Sequence, residues 1–267
     1  MYGFLLKKSF CDGWDNLLSV IITNVIILFV SMGCFLLFSL TVKLNSSLLM
    51  CACILLTCVI ISILVFAYGD ISAEIANFNG IRIVDYFKAI PSSLKDGSLF
   101  GLMIGGIGIL SFFCFDYYFL QMKSLFGIFL GGMILWLDIF LFLTLQWFLP
   151  IRSLMHNNFR KCLKKSLIIF FDNTGFSILV GLYNLLSFAI SIFCVGLIPA
   201  WAGTLINNTN ALRIRLYKYD YLDEHPELKT KKERKKIPWE ELIYDDRETL
   251  GPRKLKSFLF PWKEDAK

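Results

Sequence analysis

The sequence predicts an all-α integral membrane protein: six transmembrane helices in three pseudo-repeated hairpins with amphipathic lead-in helices, followed by a small cytoplasmic tail. Three observations predict it. Between Leu17 and Ile206, long uncharged apolar blocks alternate with short charged turns. Hydrophobic residues make up 56% of the 267 positions and charged residues 18%, which would leave a water-soluble domain with more apolar surface than water tolerates. The basic residues also fall in alternate turns, as expected where Lys and Arg are retained on the cytoplasmic side.

A span needs about 20 apolar residues to cover a hydrocarbon core about 30 Å thick. Five stretches qualify directly: 17–42, 47–68, 98–121, 125–149 and 175–197. A sixth, 199–216, is weaker, because its apolar run stops at Ile206 and Asn207, Asn208, Thr209 and Asn210 follow. Charge parity argues for it. The first and third turns carry only Lys43 and Lys123, whereas Lys7 and Lys8, then Arg82, Lys88 and Lys95, then Arg152, Arg160, Lys161, Lys164 and Lys165 mark the intervening segments. The remaining 15 basic residues follow Ile206, so an even number of spans returns them to the cytoplasm with the N-terminus. The apolar run after Lys7 and Lys8 continues past Cys34 with no small-residue cleavage site, so the first span is expected to be retained as its own insertion signal.

The lead-in segments share a pattern. Lys7-Lys8-Ser9 precedes Asp12-Gly13, Lys88 precedes Asp96-Gly97, and Lys164-Lys165-Ser166 precedes Asp172 and Gly175. In the third, Phe159, Cys162, Leu163, Leu167 and Phe170 recur at helical spacing opposite Arg160, Lys161, Lys164 and Lys165, the pattern of a helix lying in the headgroup plane. The expectation is that each Asp caps the incoming span and each Gly allows the turn into the membrane. In spans three and four, Gly101 and Gly105, and then Gly127 and Gly131, stand four apart and predict close helix packing, with these two spans expected to face each other.

Polar residues inside the spans are few. Asn24 lies in the inner half of span one. Asp138 sits at the centre of span four, flanked by Trp136, Leu137, Ile139 and Phe140, where a carboxylate costs about 2.5–3.5 kcal/mol on insertion scales. No Lys or Arg matches its depth, and Asn184 of span five is the expected hydrogen-bond partner. The functional alternative is a proton or cation relay, or a polar ligand pocket.

The eight cysteines are scattered and form no CxxC pair, and only His156 and His225 could join them, so neither a disulfide framework nor a metal site is expected. HExxH, P-loop and GxSxG motifs are absent. The membrane domain, 1–216, gives way at Tyr217 to a charged, aromatic-rich tail, 217–267. There Pro238 is placed to open a helix over 239–250, with Trp239, Leu242 and Ile243 on one face. Phe258, Phe260 and Trp262 form a second apolar cluster. Lys164, Lys165, Trp239, Phe258, Phe260 and Trp262 are the candidate docking residues for membrane or partner. Interleaved acidic residues argue against nucleic acid.

The approach Trp14-Asp15-Asn16-Leu17-Leu18 to the first span, the overall size and the six short-looped spans resemble the bacterial YesL-like membrane proteins, over roughly the first 200 residues. That resemblance implies a polytopic protein of the bacterial cytoplasmic membrane. Its members are largely uncharacterised, and some are thought to accompany carbohydrate uptake systems. The long charged tail departs from the usual short ending, which leaves any partner open. The resulting expectation is a non-enzymatic accessory or scaffold protein without cofactors, in contact with lipid and with other membrane or cytoplasmic subunits. The alternative is a small-solute or ion transporter using Asp138. A hydrated cavity reaching Asp138 would favour transport; a dry packed contact would favour the scaffold.

Overall fold

The computed structural model describes residues 1–227 and 237–253, and among them the only regular elements are helices. The chain begins with α1 (Tyr2–Asp15), which ends at Asn16 and passes at once into α2 (Leu17–Lys43). A turn at Leu44–Ser46 leads to α3 (Ser47–Ala76), where Ser46 accepts from the Leu49 N–H and caps the new helix. Next come α4 (Ile83–Phe115), a π-helical turn (Asp116–Gln121) and α5 (Leu125–Leu145), whose cap is Ser124 accepting from Gly127 N–H at 3.1 Å. The short α6 (Phe148–Met155) prolongs α5 inward. Then α7 (Phe159–Asp172), α8 (Thr174–Phe193) and α9 (Ala200–Glu224) complete the membrane domain, and α10 (Trp239–Leu242) and α11 (Tyr244–Leu250) lie in the tail.

Five stretches are long and apolar enough to cross a membrane: Leu17–Lys43, Ser47–Ala76, Ile83–Gln121, Leu125–Met155 and Thr174–Phe193. Helix α9 is not among them. It lies at the centre of the end of the domain that carries α1 and α6 instead, packed against α1, α2, α3, α6 and α8, with Leu205 through Leu212 buried without a break. Surrounded by protein rather than lipid, it can carry four consecutive polar residues, Asn207 to Asn210.

The third hairpin also reaches less far than the first. Asn24, the eighth residue of α2, donates to the carbonyls of Leu197 (2.8 Å) and Pro199 (3.0 Å) and accepts from Ala202 N–H (3.0 Å). Ile27, Leu28 and Ser31 of α2 line the same small cleft as Ile192, Val195 and Gly196. The α8–α9 turn therefore sits beside the first half of α2, and Met32–Lys43 continues for roughly 18 Å beyond it at 1.5 Å per residue. Gly196 supplies the positive φ (74°) that tightens the turn.

The lead-in segments depart from expectation in an informative way. Helix α1 buries a mixed face: Lys8, Ser9 and Asp12 are buried together with Phe4, Leu5 and Cys11, while Tyr2, Leu6, Phe10 and Trp14 are exposed. Asp12 does not cap α2. The joint is one step later, at Asn16, whose side chain donates to Asp12 O (2.9 Å) and whose own carbonyl accepts from Val20 N–H. Asn173 repeats that geometry between α7 and α8, donating to Ile169 O (3.3 Å) and accepting from Ser177 N–H. The second segment has no turn at all, since α4 runs unbroken through Asp96-Gly97. There Gly97 serves close packing; a Cβ at this position would lie 2.9 Å from Ile63 Cα of α3.

Gly101 and Gly105 continue that contact one and two turns further on. A Cβ on Gly101 would stand 2.6 Å from Val59 Cα, and one on Gly105 3.0 Å from Leu55 Cδ2. These glycines seat α4 on α3, span two, not on span four as expected. Gly127 and Gly131 of α5 do meet span three, but only its π-helical end, where Tyr118 O and the Phe119 ring would each be 2.6 Å from an added Cβ.

In the tail, the expected helix over 239–250 is two pieces broken at Ile243 and stopped at Gly251 (φ 73°). It folds back on its own membrane domain. Asp246 accepts from Arg213 Nη2 (3.0 Å) and Tyr217 Oη (3.1 Å), and Trp239 packs on the buried core with its ring 5.4 Å from the Arg215 guanidinium. Trp239 is thus engaged within the chain. Phe258, Phe260, Trp262 and the basic run from Lys231 to Lys236 lie outside the described residues.

Candidate functional site

Two polar assemblies occupy the end of the domain that carries α1, α6 and α7, and a third polar contact lies apart from them. The first is a seam along α9. Asn184 of α8 donates to Asn208 Oδ1 (2.7 Å) and accepts from Asn207 Nδ2 (3.1 Å), and Asn207 accepts in turn from Ser9 Oγ of α1 (3.2 Å). Gln146 accepts a longer bond from Asn184 (3.4 Å) and donates to Ser177 O (2.9 Å). At the next two positions, Thr209 and Ser72 of α3 share a hydrogen bond (2.8 Å), and Asn210 donates to Asp12 Oδ2 (2.7 Å). Asp12 also takes Lys8 Nζ at 3.0 Å, and that ammonium sits 3.6 Å from the centroid of the Phe78 ring with none of its surface exposed. Burial pushes the Lys8 ammonium down and the Asp12 carboxyl up from their ordinary values, and their mutual attraction opposes both shifts. The amides suit this place because each both donates and accepts, so neighbouring asparagines can satisfy one another away from water.

The second assembly is a cleft of about 1090 Å³ between α4, α6 and α7, at the level where basic sequence gives way to apolar sequence. Its floor is Arg152 of α6. Nη1 donates to Asp70 of α3 (2.7 Å), Nε to Asp96 of α4 (3.2 Å) and Nη2 to Ser92 O (3.3 Å), with the Phe66 ring 5.4 Å away. The planar, multiply donating guanidinium is what allows one residue to tie α3, α4 and α6 together. Lys95 of α4 and Arg160 and Lys161 of α7 line the walls with Asn157, Leu99 and Phe159.

The intramembrane carboxylate lies elsewhere. Asp138 accepts from Ser111 Oγ of α4 at 2.9 Å, and it lines neither of the two clefts described. Its expected partner, Asn184, belongs to the α9 seam. Counting residues from the helix ends does not single out Ser111, because depth alone does not say which helices face one another. Asn184 is eleven residues into α8, yet through Asn207 it shares a level with Ser9 of the lead-in helix. Asn24 is the buried anchor of the α8–α9 turn. Lys164 is exposed, and Lys165 points its ammonium toward the Met155 sulfur (3.7 Å).

Sequence reasoning took Arg152 as a charge marker and Asp96 as a helix cap, and it did not single out Asp70. It also missed the two asparagine joints, for which a signal was present: Lys-Lys-Ser, five residues, then Asp-Asn occurs at both 7–16 and 164–173. No group of three or more potential metal ligands occurs among the described residues. No protein-family model, curated protein or solved structure matches this chain.

Proposed function

We propose that this chain acts without catalysis, as an accessory or scaffold subunit of a larger assembly in a bacterial cytoplasmic membrane, the kind of role the YesL-like resemblance also implies. The observation that carries the reading is the state of Asp138. Its carboxylate is engaged by Ser111 across the α4–α5 contact, between two helices rather than on a cleft wall. A relay needs a group that exchanges partners with water or solute along a path. A carboxylate held by one neighbouring hydroxyl holds two helices together. The asparagine seam supports the same reading, because Asn184, Asn207 and Asn208 bond to one another and stiffen the inner half.

The topology proposed with it has both termini cytoplasmic. Two hairpins, α2–α3 and α4–α5, cross fully, and α8–α9 turns back inside the bilayer. Its turn, Cys194 to Pro199, has no charged or amide side chain, whereas the other two turns carry Lys43 with Asn45 and Lys123 with Ser124. Irregular backbone is tolerated at that depth only where its polar groups are satisfied. Here Asn24 bonds to Leu197, Pro199 and Ala202 and supplies three such partners. The charge parity survives, since a re-entrant hairpin returns the chain to the side it left. The matched joints at Asn16 and Asn173 support treating the lead-in, outbound and return helices as a repeated unit, with a degenerate middle copy.

Two measurements test these readings. Gentle detergent extraction followed by mass measurement should find the protein in a complex, and a clean monomer across conditions would overturn the scaffold. A variant retaining Cys194 as its sole cysteine should resist membrane-impermeant thiol reagents from either side, while Asn45→Cys in the cysteine-free chain labels from outside. Labelling of Cys194 from outside would instead make α9 a full span.

A further inference from the structure

The cleft floored by Arg152 has a charge balance that its own residues leave open. Two carboxylates line it, Asp70 and Asp96, and both are already bound by Arg152 at 2.7 and 3.2 Å. Among the described residues the wall cations Lys95, Arg160 and Lys161 form no ion pair, since both lining carboxylates are taken by Arg152. Lys88, at the outer edge, shares Asp85 at 3.9 Å with its side chain 66% exposed. Asn157 contributes an amide of a different kind: its Nδ2 is shielded from solvent and has no hydrogen-bond partner among the described residues. A shielded donor without an acceptor costs free energy that a bound acceptor would recover. Above these groups the lining turns apolar, with Leu99 and Phe159.

We propose that this cleft is a binding site for a phosphate-bearing anion, held by Lys95, Arg160, Lys161 and the Asn157 amide. A phosphate monoester carries between one and two negative charges at neutral pH and offers three strong acceptor oxygens. Several convergent cations and a neutral N–H donor match that demand better than they match a single carboxylate. Two sources present this chemistry: the headgroup of an anionic phospholipid, with its glycerol end against Leu99 and Phe159, and a free phosphate ester from the cytoplasm. Arg152 is the positioning residue of the site. With its donors occupied by Asp70, Asp96 and Ser92 O, it fixes α4 against α6 and so sets the spacing of the walls. This site is independent of the scaffold reading and would serve a transporter equally.

The test uses the full chain in neutral-lipid nanodiscs, with short-chain phosphatidic acid, inorganic phosphate and glycerol phosphate as probes. Saturable binding of at least one probe is expected. Lys95→Gln with Arg160→Gln should weaken it at least tenfold, with an unchanged melting temperature. The charge-matched pair Lys43→Gln with Arg247→Gln, both exposed and away from the lining, should leave it within about twofold. Asn157→Asp is the second variant; it keeps the size, removes the donor and adds a repelling charge, so binding should again fall at least tenfold. If glycerol phosphate displaces phosphatidic acid at equal concentration, the source is the free ester; if only the lipid binds, the source is the headgroup. Absence of saturable binding of any probe would overturn the proposal. So would equal weakening by the control pair, which would mean diffuse attraction to a basic face, or unchanged binding by Asn157→Asp.

Discussion

Replacing Asp12 by Asn removes one charge from a pair that is closed off from water, and the size of the loss follows from the geometry. Lys8 Nζ lies 3.0 Å from Asp12 Oδ2, and none of the lysine surface is exposed. At that separation, and at the effective dielectric of about 20 that suits protein sites, the attraction is about 5–6 kcal/mol. Desolvation of the two groups offsets most of this, so the intact pair contributes little net stability. Removing one partner is another matter. Asp12→Asn leaves the ammonium with a neutral amide oxygen, the Phe78 ring and the more distant Asp246 carboxylate, and a cost of about 3–5 kcal/mol is expected at pH 7. Lys8→Met should cost somewhat less, because Asp12 retains the Asn210 amide at 2.7 Å. The double variant restores a neutral site in which the new amide still accepts from Asn210, and it should lie within about 1–2 kcal/mol of the parent.

The pH dependence gives a second handle on the same pair. Burial lowers the folded-state pKa of Lys8 below 10.5, and the variant loses the carboxylate that opposed this shift. The folded Asp12→Asn chain therefore binds fewer protons than the unfolded one, and its stability must rise with pH until the unfolded value of 10.5 is reached. Below the depressed folded pKa the deficit is at its full size. Unfolding in mixed micelles, followed by circular dichroism from pH 6 to pH 10, measures both effects. Additive single-variant costs, or a deficit for Asp12→Asn that is flat with pH, would refute the idea of a coupled, water-free pair.

Three further outcomes follow from particular contacts. Gly101→Ala should destabilise the protein by about 1–3 kcal/mol, because the added Cβ meets the Val59 backbone at 2.6 Å; Gly106→Ala, with open space around it, should be neutral in the same detergent melt. Asp138→Asn should be nearly silent, since an amide oxygen still accepts from Ser111, while Asp138→Leu and Ser111→Ala should each cost about 1 kcal/mol and fail to add in the double variant. A functional loss in Asp138→Asn at unchanged melting temperature would instead favour transport. Asn24→Leu should cost about 2–4 kcal/mol by stranding the polar groups of the α8–α9 turn, and it should expose Cys194 to thiol reagents as that turn loosens.

The parts of the fold that were legible in the sequence are those that lipid itself enforces. A lipid-facing helix must be apolar all round and long enough to cross, so α2, α3, α4, α5 and α8 could be found by composition alone. Helix α9 escaped that rule because its neighbours are protein. Nothing in the run Asn207 to Asn210 distinguishes a helix end in water from a helix centre wrapped by five others. The same ambiguity hid the partner of Asp138. Counted from the α4–α5 turn, Ser111 lies ten residues before Gln121 and Asp138 thirteen after Leu125, so the two were near in depth all along. The choice of Asn184 rested on a similar count along α8, and a count of depth does not say which helices face one another.

The asparagine joints show what a closer reading of spacing could have recovered. A pattern of Lys-Lys-Ser, five residues and Asp-Asn places the same amide at the end of α1 and of α7, where each turns back on the carbonyl four residues earlier. Asn suits that position because its short amide can bond to local backbone in the bend between two helices, where the φ of −109° at Asn16 and −133° at Asn173 leaves the helical region. The middle segment keeps its Lys and Asp at matching spacing, Lys88 and Asp96, but has Gly97 where the amide would stand. Glycine there lets α4 lie flush on α3, and the helix has no reason to bend. Asp96 takes Arg152 of α6, just as Asp15 beside Asn16 takes Arg253 and Asp172 beside Asn173 takes Lys218, so in all three segments the carboxylate meets a cation from elsewhere in the chain whether or not the helix bends there.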